Sequence, residues 1–138
     1  MANVEATEPV NKGGMQAPVQ RYLAGVVATV SPDASLREVA RKLMAIEAGA
    51  LVVGTCEAVQ GVISERDVVR ALGLGRDLDQ LNAADVTRTD VVYCTPATTM
   101  GSLSALMTDQ GVRHVLVRDD QRLVGIVSAR DVLTAQAD

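Results

Sequence analysis

The sequence contains two copies of a short box that places an aspartate three residues after a serine. The box reads GVISERDV in the first copy and GIVSARDV in the second. An aspartate at the start of a helix can accept two hydrogen bonds from a vicinal diol such as that of a ribose. The helix N-terminus beside it favours an anion, and the glycine permits close approach of a backbone or a ligand. The candidate ligand-binding residues are Ser64, Asp67, Ser128 and Asp131.

The same spacing also fits a purely structural role. Ser-x-x-Asp is a variant of the helix capping box, in which the hydroxyl accepts an amide and the carboxylate stabilises the positive end of the helix. Arg66 and Arg130 lie inside the boxes and are candidates for pairing with phosphate through their guanidinium groups. Exposed helix charges are the alternative, because Arg outnumbers Lys eleven to two in the chain. The residues alone leave capping and ligand binding open.

The two boxes are part of a longer internal repeat. Pro32 and Pro96 lie 64 residues apart, and this offset aligns nine identical pairs over residues 26–71, five of them in the box. Each copy predicts a strand, a proline loop, a helix, a strand hairpin and a closing helix. The expected fold class is therefore α/β (α+β), with two pseudo-symmetric β-α-β-β-α units packed through their sheets.

Local patterns predict the elements of each copy. Ser35 and Glu38 form a capping box before the first helix, and Gly111 is placed to end its counterpart. Leucines and methionines at helical spacing predict a buried face on both helices. The closing helix of the first copy should end near residues 73–75. The predicted strands cover residues 26–30, 50–53, 59–63, 91–94, 112–117 and 123–127.

Four segments follow from this repeat. We expect a flexible tail at 1–18, a first unit at 19–75, a linker at 76–89 with a short helix in 77–86, and a second unit at 90–138. A unit of about 50 residues buries too little surface to be stable alone, so the copies should pack together. Their shared seam is the natural place for a ligand cleft.

The tandem pattern resembles a pair of CBS motifs, the Bateman module, over about residues 19–136. The resemblance is carried by the two proline loops, the helices after them, the strands GALVVG and VRHVLV, and the paired G-h-h-S-x-x-D boxes. It implies that each aspartate holds ribose hydroxyls and each serine contacts ribose or phosphate of an adenine nucleotide such as AMP or ATP. It also implies that the adenine lies against apolar residues near the first strand, here Val30 and Cys94.

Two departures from the family pattern bear on the site. Val52 and Leu116 stand where many members have proline, which should matter little because Val and Leu suit a buried strand. The second copy has Arg113 and His114 where the first has glycine and alanine. Basic residues on this strand resemble phosphate contacts in nucleotide-binding members. We therefore expect the two clefts to differ, with the tighter one using Arg113 and, to a smaller degree, His114.

Composition excludes several classes of function. The chain has 138 residues, a net charge of −4 and two Tyr with no Phe or Trp, which disfavours nucleic-acid binding. No apolar run is long enough for a membrane span, and the acidic start is unlike a secretory signal, so we expect a cytoplasmic protein. One His and two distant Cys, expected to be buried and reduced, offer neither a metal site nor a nucleophile with its base.

The expected function is a ligand-sensing regulatory module for an adenosyl nucleotide, without catalysis and without another cofactor. It would signal through conformation or association, to an unidentified effector protein or through a homodimer. The alternative is a module of the same fold that only dimerises or interacts. Apolar residues on the first and last helices favour a homodimer, namely Val39, Leu43, Val68, Val69 and Leu72.

Overall fold

The computed structural model describes residues 10–138, and the first nine residues of the expected tail lie outside the described part. In the first copy, β1 (Thr29–Val30), α1 (Leu36–Ile46), β2 (Ala50–Gly54), β3 (Val59–Ser64) and α2 (Glu65–Gly73) follow one another. A short helix, α3 (Ala83–Val86), leads to the second copy. That copy contains β4 (Tyr93–Cys94), α4 (Met100–Gln110), β5 (His114–Asp119), β6 (Arg122–Ser128) and α5 (Ala129–Ala137).

Each copy forms its own three-stranded sheet. The strand orders are β1-β2-β3 and β4-β5-β6, with the first pair parallel and the second antiparallel in both sheets. The two-residue strands β1 and β4 are shorter than predicted, because the chain before Thr29 and before Tyr93 leaves the sheet. The expected order β-α-β-β-α is confirmed in both copies.

The central strands β2 and β5 are buried on both faces. Leu51 and Val53 face the helices of their own copy, where Leu36, Val39 and Leu43 of α1 are also buried. Val52 and Leu116 face the other way and meet in an apolar layer between the two sheets. A strand covered on both sides needs apolar residues at consecutive positions. The sheet-to-sheet packing predicted for the two copies is confirmed, and Val52 and Leu116 lie at its centre.

A short lead-in segment before each copy packs on the other copy. Ala17 and Val19 are buried in the core of the second copy, where the Val19 amide donates to Thr98 O at 2.7 Å. At the equivalent position, the Ala83 amide donates to Ala34 O of the first copy, also at 2.7 Å. The lead-in segments are residues 13–23 and 77–88.

This packing places residues 14–18 against the second copy, where the sequence predicted part of a flexible tail over residues 1–18. Gly14 and Ala17 are buried, and the Gly14 amide donates to the Tyr22 hydroxyl at 2.9 Å. The segment has few apolar residues, yet its backbone groups find partners on the second copy, which the local composition does not reveal. The linker helix is also shorter than predicted, because the capping box of Asn82 and Asp85 starts it only at Ala83.

Two further findings concern membrane-spanning helices and groups of metal ligands. Among residues 10–138, no helix combines the length and the apolar character needed to cross a bilayer. In the same part of the chain, no three His, Cys, Asp or Glu side chains are grouped so that they could hold a metal ion. Cys94 is buried and Cys56 half-buried, and both are free thiols.

Candidate functional site

Among residues 10–138, the two Ser/Asp boxes lie in two clefts along the seam between the copies. Cleft 1 has a volume of about 620 Å³ and is lined by Ser128 and Asp131 together with segments 24–28 and 46–50. Cleft 2 has a volume of about 450 Å³ and is lined by Ser64 and Asp67 together with residues at 88–91 and 111–114. Each cleft therefore combines the Ser/Asp box of one copy with two segments of the other copy. These are the segment that leads into its first strand and the turn between its first helix and the next strand. Volumes of this size suit a small organic ligand.

Both boxes form the capping arrangement. The Ser64 hydroxyl accepts from the Asp67 amide at 3.4 Å, and Asp67 Oδ2 accepts from the Ser64 amide at 2.7 Å and from its hydroxyl at 3.0 Å. Ser128 and Asp131 repeat the geometry at 3.4, 2.8 and 3.1 Å. The structural role considered from the sequence is thus present in both copies.

Capping uses only one oxygen of each carboxylate. Oδ1 of Asp67 and Oδ1 of Asp131 form no hydrogen bond with any residue in 10–138. No buried side-chain oxygen in this part of the chain lacks a partner, so both Oδ1 atoms keep access to solvent, and each aspartate lines a cleft. Each aspartate, held rigidly by its cap, therefore offers an open acceptor oxygen to a ligand hydroxyl.

The helix N-termini offer fewer free amides than the sequence suggests. The Glu65 amide donates to Gly49 O at 2.9 Å, and the Ala129 amide donates to Arg113 O at the same distance. The amides of Asp67 and Asp131 bind the serine hydroxyls. Two of the first three amides of each helix thus have partners within their own copy, which weakens the case for an anion held there by amides alone.

Packing against the protein accounts for the glycines of the boxes. A Cβ atom at Gly61 would collide with Arg88 O, whose residue forms an antiparallel bridge with Val62. At Gly125 a Cβ atom would lie 2.6 Å from Leu23 Cδ2. The close approach predicted from these glycines is therefore made by the two lead-in segments, on the strands that carry the boxes.

The basic residues of the second copy serve both clefts. Arg113 and His114 line cleft 1 as well as cleft 2, because their strand start lies between the two boxes. Arg66 lines cleft 2 and Arg130 lines cleft 1. Arg66, Arg113 and Arg130 have no carboxylate within 4.0 Å among residues 10–138, so their guanidinium groups are available to a ligand.

His114 lies at the junction of the clefts. Its Nε2 would be 3.1 Å from a Cβ atom placed on Gly49, and the ring is half-buried. Burial lowers the pKa of His114 below 6.5, and the positive charge of Arg113 lowers it further. The negative charges of Glu65 and Asp131 raise the pKa but do not cancel the effect of burial. The imidazole is therefore predominantly neutral at pH 7, so it contributes no full positive charge to either cleft.

Val30 and Cys94 lie outside both clefts, which corrects their assignment as adenine contacts. Each is buried among the helices of its own copy, at 9% and 8% exposure. Because β1 and β4 are so short, the segments that reach the clefts lie before them, and Val26, Val27 and Val91 line the clefts instead.

Sequence reasoning also missed charged residues that line the clefts. Glu65 lines both, Glu47 lines cleft 1, and Arg88 with Asp90 lines cleft 2. Glu65 could have been found, since it follows Ser64 directly. The others become visible only when the lead-in segments and helix ends are placed against the opposite copy.

Comparisons with known proteins agree with this architecture. The CBS domain family model matches residues 20–74 and again residues 83–138. The CBS domain-containing protein YhcV of Bacillus subtilis is 32% identical over 111 residues, covering 80% of this chain and 79% of the relative.

Solved structures give the same result. A CBS-domain protein of Agrobacterium tumefaciens superposes with a TM-score of 0.81 at 34% identity, covering 93% of this chain and 99% of the other. A CBS domain protein of Pyrobaculum aerophilum, complexed with AMP, has a TM-score of 0.76 at 25% identity, covering 87% and 98%. The tandem boxes, the paired sheets and these matches show that the chain belongs to the CBS domain family and contains two CBS domains.

Proposed function

We propose that this protein is a regulatory module that binds an adenosyl nucleotide, of the AMP, ADP, ATP or NAD type, in the clefts between its CBS domains. The observation that carries the proposal is the open Oδ1 atom of Asp67 and of Asp131, two residues that are each held by a cap and line a cleft. The AMP complex of the Pyrobaculum aerophilum relative supports the ligand class. The signal would pass through conformation or association rather than through catalysis.

The composition of each cleft explains how a ligand could alter the protein. A nucleotide in cleft 1 would contact the Asp131 box of the second copy and the 24–28 and 46–50 segments of the first. A ligand that bridges two packed units stabilises the arrangement to which it binds best. Binding would thus bias the relative placement of the two CBS domains.

The experiment is calorimetry and thermal unfolding with AMP, ATP, NAD and adenosine, using GMP to test base selection. A ligand at about 100 times its dissociation constant stabilises the folded state by about 2.7 kcal/mol. In Asp67→Ala/Asp131→Ala we expect adenosyl binding to be lost. The matched control is Asp85→Ala, because Asp85 accepts from the Asn82 amide at 2.8 Å in the same kind of capping box but lines neither cleft. Unchanged affinity in the double variant would return both aspartates to a purely capping role.

The second candidate function is association without a small ligand. Val69 and Leu72 of α2 are 65% and 63% exposed, and Leu133 of α5 is 65% exposed. Val39 and Leu43 are buried and Val68 is half-buried, so these three do not contribute to such a surface as predicted; they lie on the inner faces of their helices. We propose that Val69, Leu72 and Leu133 mediate a homodimer. The same exposed residues are the candidate contact surface for an effector protein.

A cytoplasmic location is part of the proposal. The free thiols Cys56 and Cys94 are compatible with a reducing compartment.

Absence of adenosyl binding by the wild-type protein, together with a stable dimer, would favour the association module over the ligand sensor.

A further inference from the structure

The two clefts carry different sets of charges. Cleft 1 is lined by the carboxylates of Glu47, Glu65 and Asp131 and by the guanidinium groups of Arg113 and Arg130. Cleft 2 is lined by three guanidinium groups and three carboxylates: Arg66, Arg88, Arg113, Glu65, Asp67 and Asp90. With His114 neutral, the lining of cleft 1 is negative by one charge and that of cleft 2 is balanced. Because Arg113 lines both clefts, it cannot be the source of this difference.

The difference comes from positions where the repeat is broken. Arg88 of cleft 2 corresponds to Ala24 of cleft 1, and Glu47 of cleft 1 corresponds to Gly111 of cleft 2. Asp90 of cleft 2 corresponds to Val26 of cleft 1 and forms a salt bridge with Arg88 at 3.9 Å, so the two charges cancel in the net charge of the lining. Cleft 2 thus gains an ion pair at its lead-in segment, whereas cleft 1 gains the carboxylate of Glu47 at its helix end, and this carboxylate accounts for the difference in net charge.

Glu47 occupies a backbone conformation better suited to glycine. It ends α1 with φ 52°, in the left-handed region, where Gly111 ends α4 with φ 66°. A side chain other than Gly, Asn or Asp is uncommon in that region. The carboxylate at the mouth of cleft 1 is therefore present despite the local backbone preference, and removing it should not impair folding.

We propose that the two clefts select adenosyl ligands by the charge at the 5′ position: cleft 2 takes a 5′-phosphorylated nucleotide, and cleft 1 takes an adenosyl compound whose 5′ substituent is uncharged or cationic. This selection rests on the proposed function, because it assumes that both clefts hold an adenosyl group. A 5′-phosphate carries about 1.5 to 2 negative charges at pH 7. The additional carboxylate of Glu47 repels that charge in cleft 1, whereas cleft 2 has three guanidinium groups in its lining and a glycine, Gly111, at the position of Glu47.

The test uses three probes that differ only at the 5′ carbon: adenosine, 5′-amino-5′-deoxyadenosine and AMP. Binding to the full chain is measured by calorimetry in Asp131→Ala, which leaves cleft 2 intact, and in Asp67→Ala, which leaves cleft 1 intact. We expect Asp131→Ala to bind AMP at least about tenfold more tightly than the amine and Asp67→Ala to show the reverse order. Raising the salt concentration should reduce both preferences, because Glu47, Arg66 and Arg88 are exposed.

A second pair of variants tests the charge without touching the boxes. Glu47→Gln in the Asp67→Ala background should strengthen AMP binding at cleft 1 severalfold while leaving adenosine binding unchanged. Glu47→Gly should do the same and be at least as stable as its parent. The control is Glu57→Gln, since Glu57 is exposed on the β2–β3 turn and lines neither cleft.

The outcomes separate the two proposals. If none of the three probes binds the wild-type protein, charge selection is overturned, and if ATP and NAD also fail to bind, the adenosyl function is wrong as well. If the probes bind but Asp67→Ala and Asp131→Ala rank them in the same order, only the charge selection is overturned. The same conclusion follows if both variants fold and Glu47→Gln leaves the AMP-to-adenosine ratio unchanged.

Discussion

Alanine substitutions at the two box glycines should have unequal costs. Gly61 and Gly125 occupy equivalent, buried positions, and neither has a positive φ, so steric contact decides the outcome. A Cβ atom at Gly61 collides with backbone, namely Arg88 O. A Cβ atom at Gly125 meets only the Leu23 side chain, with its nearest carbon at 2.6 Å. A side chain can rotate away, whereas a bridged backbone cannot move without losing its hydrogen bonds.

The hydrogen bonds that Gly61→Ala would disturb set the magnitude of the expected loss in the free energy of unfolding. Val62 and Arg88 exchange two backbone hydrogen bonds of 3.0 and 2.9 Å, and the Thr87 hydroxyl donates to Val62 O at 3.1 Å. Each bond contributes about 1 kcal/mol net, and overpacking costs about 1 to 3 kcal/mol. We expect Gly61→Ala to lower the free energy of unfolding by about 2 to 4 kcal/mol. Gly125→Ala should cost about 1 kcal/mol, because Leu23 is only half-buried and can adjust.

Urea denaturation of both variants and the wild type measures the difference. A functional consequence follows, because Arg88 lines cleft 2: Gly61→Ala should weaken AMP binding there more than Gly125→Ala weakens binding in cleft 1. Equal stability losses, or a larger loss for Gly125→Ala, would refute the account of these glycines as seats for the lead-in segments.

Three further predictions concern pH, association and the first lead-in segment. Because burial lowers the pKa of His114 below 6.5, the unfolded chain takes up that proton more readily. Stability should therefore fall as the pH drops below about 6.5, and unfolding measured from pH 7.5 to 5.5 should show a smaller loss for His114→Ala than for the wild type. Leu72→Glu should convert the dimer to a monomer in light scattering, since it places a charge on an exposed apolar surface; a monomeric wild type at micromolar concentration would contradict the homodimer. Tyr22→Phe removes the hydroxyl that accepts from the Gly14 amide at 2.9 Å and donates to Asp138 Oδ2 at 2.6 Å, so it should cost about 1 to 2 kcal/mol in urea denaturation. Tyr93→Phe is its control, because the Tyr93 hydroxyl has no hydrogen bond within residues 10–138, and equal losses would refute the role of Tyr22.

Local signals predicted the elements better than they predicted the surroundings of the site. The capping boxes of Ser35 and Ser64 and the helix end at Gly111 depend on residues three or four positions apart, and all are confirmed. The sheet-to-sheet packing also followed from the sequence, because strands that are apolar at successive positions need cover on both faces.

The misplacement of Val30 and Cys94 has a different origin. The alternation of residues in a strand does not show where the preceding chain turns away from the sheet. Here the chain joins the sheet only at Thr29, so Val26 rather than Val30 lines a cleft. Glu47 and Arg88 were missed for a related reason. Their partners in the clefts come from the opposite copy, and only the long-range packing brings them together.

The exchange of lead-in segments makes the two repeats interdependent as folding units. The second copy needs residues 13–23 to cover Gly125 and to fill its core with Val19, while the first copy needs residues 77–88 from after its own closing helix. If the chain were cut between residues 75 and 76, the first half would keep residues 13–23, which the second copy needs, and the second half would keep residues 77–88, which the first copy needs. The covalent order thus interlocks the copies, so global unfolding should be one cooperative event and neither copy should be recovered as an independent domain.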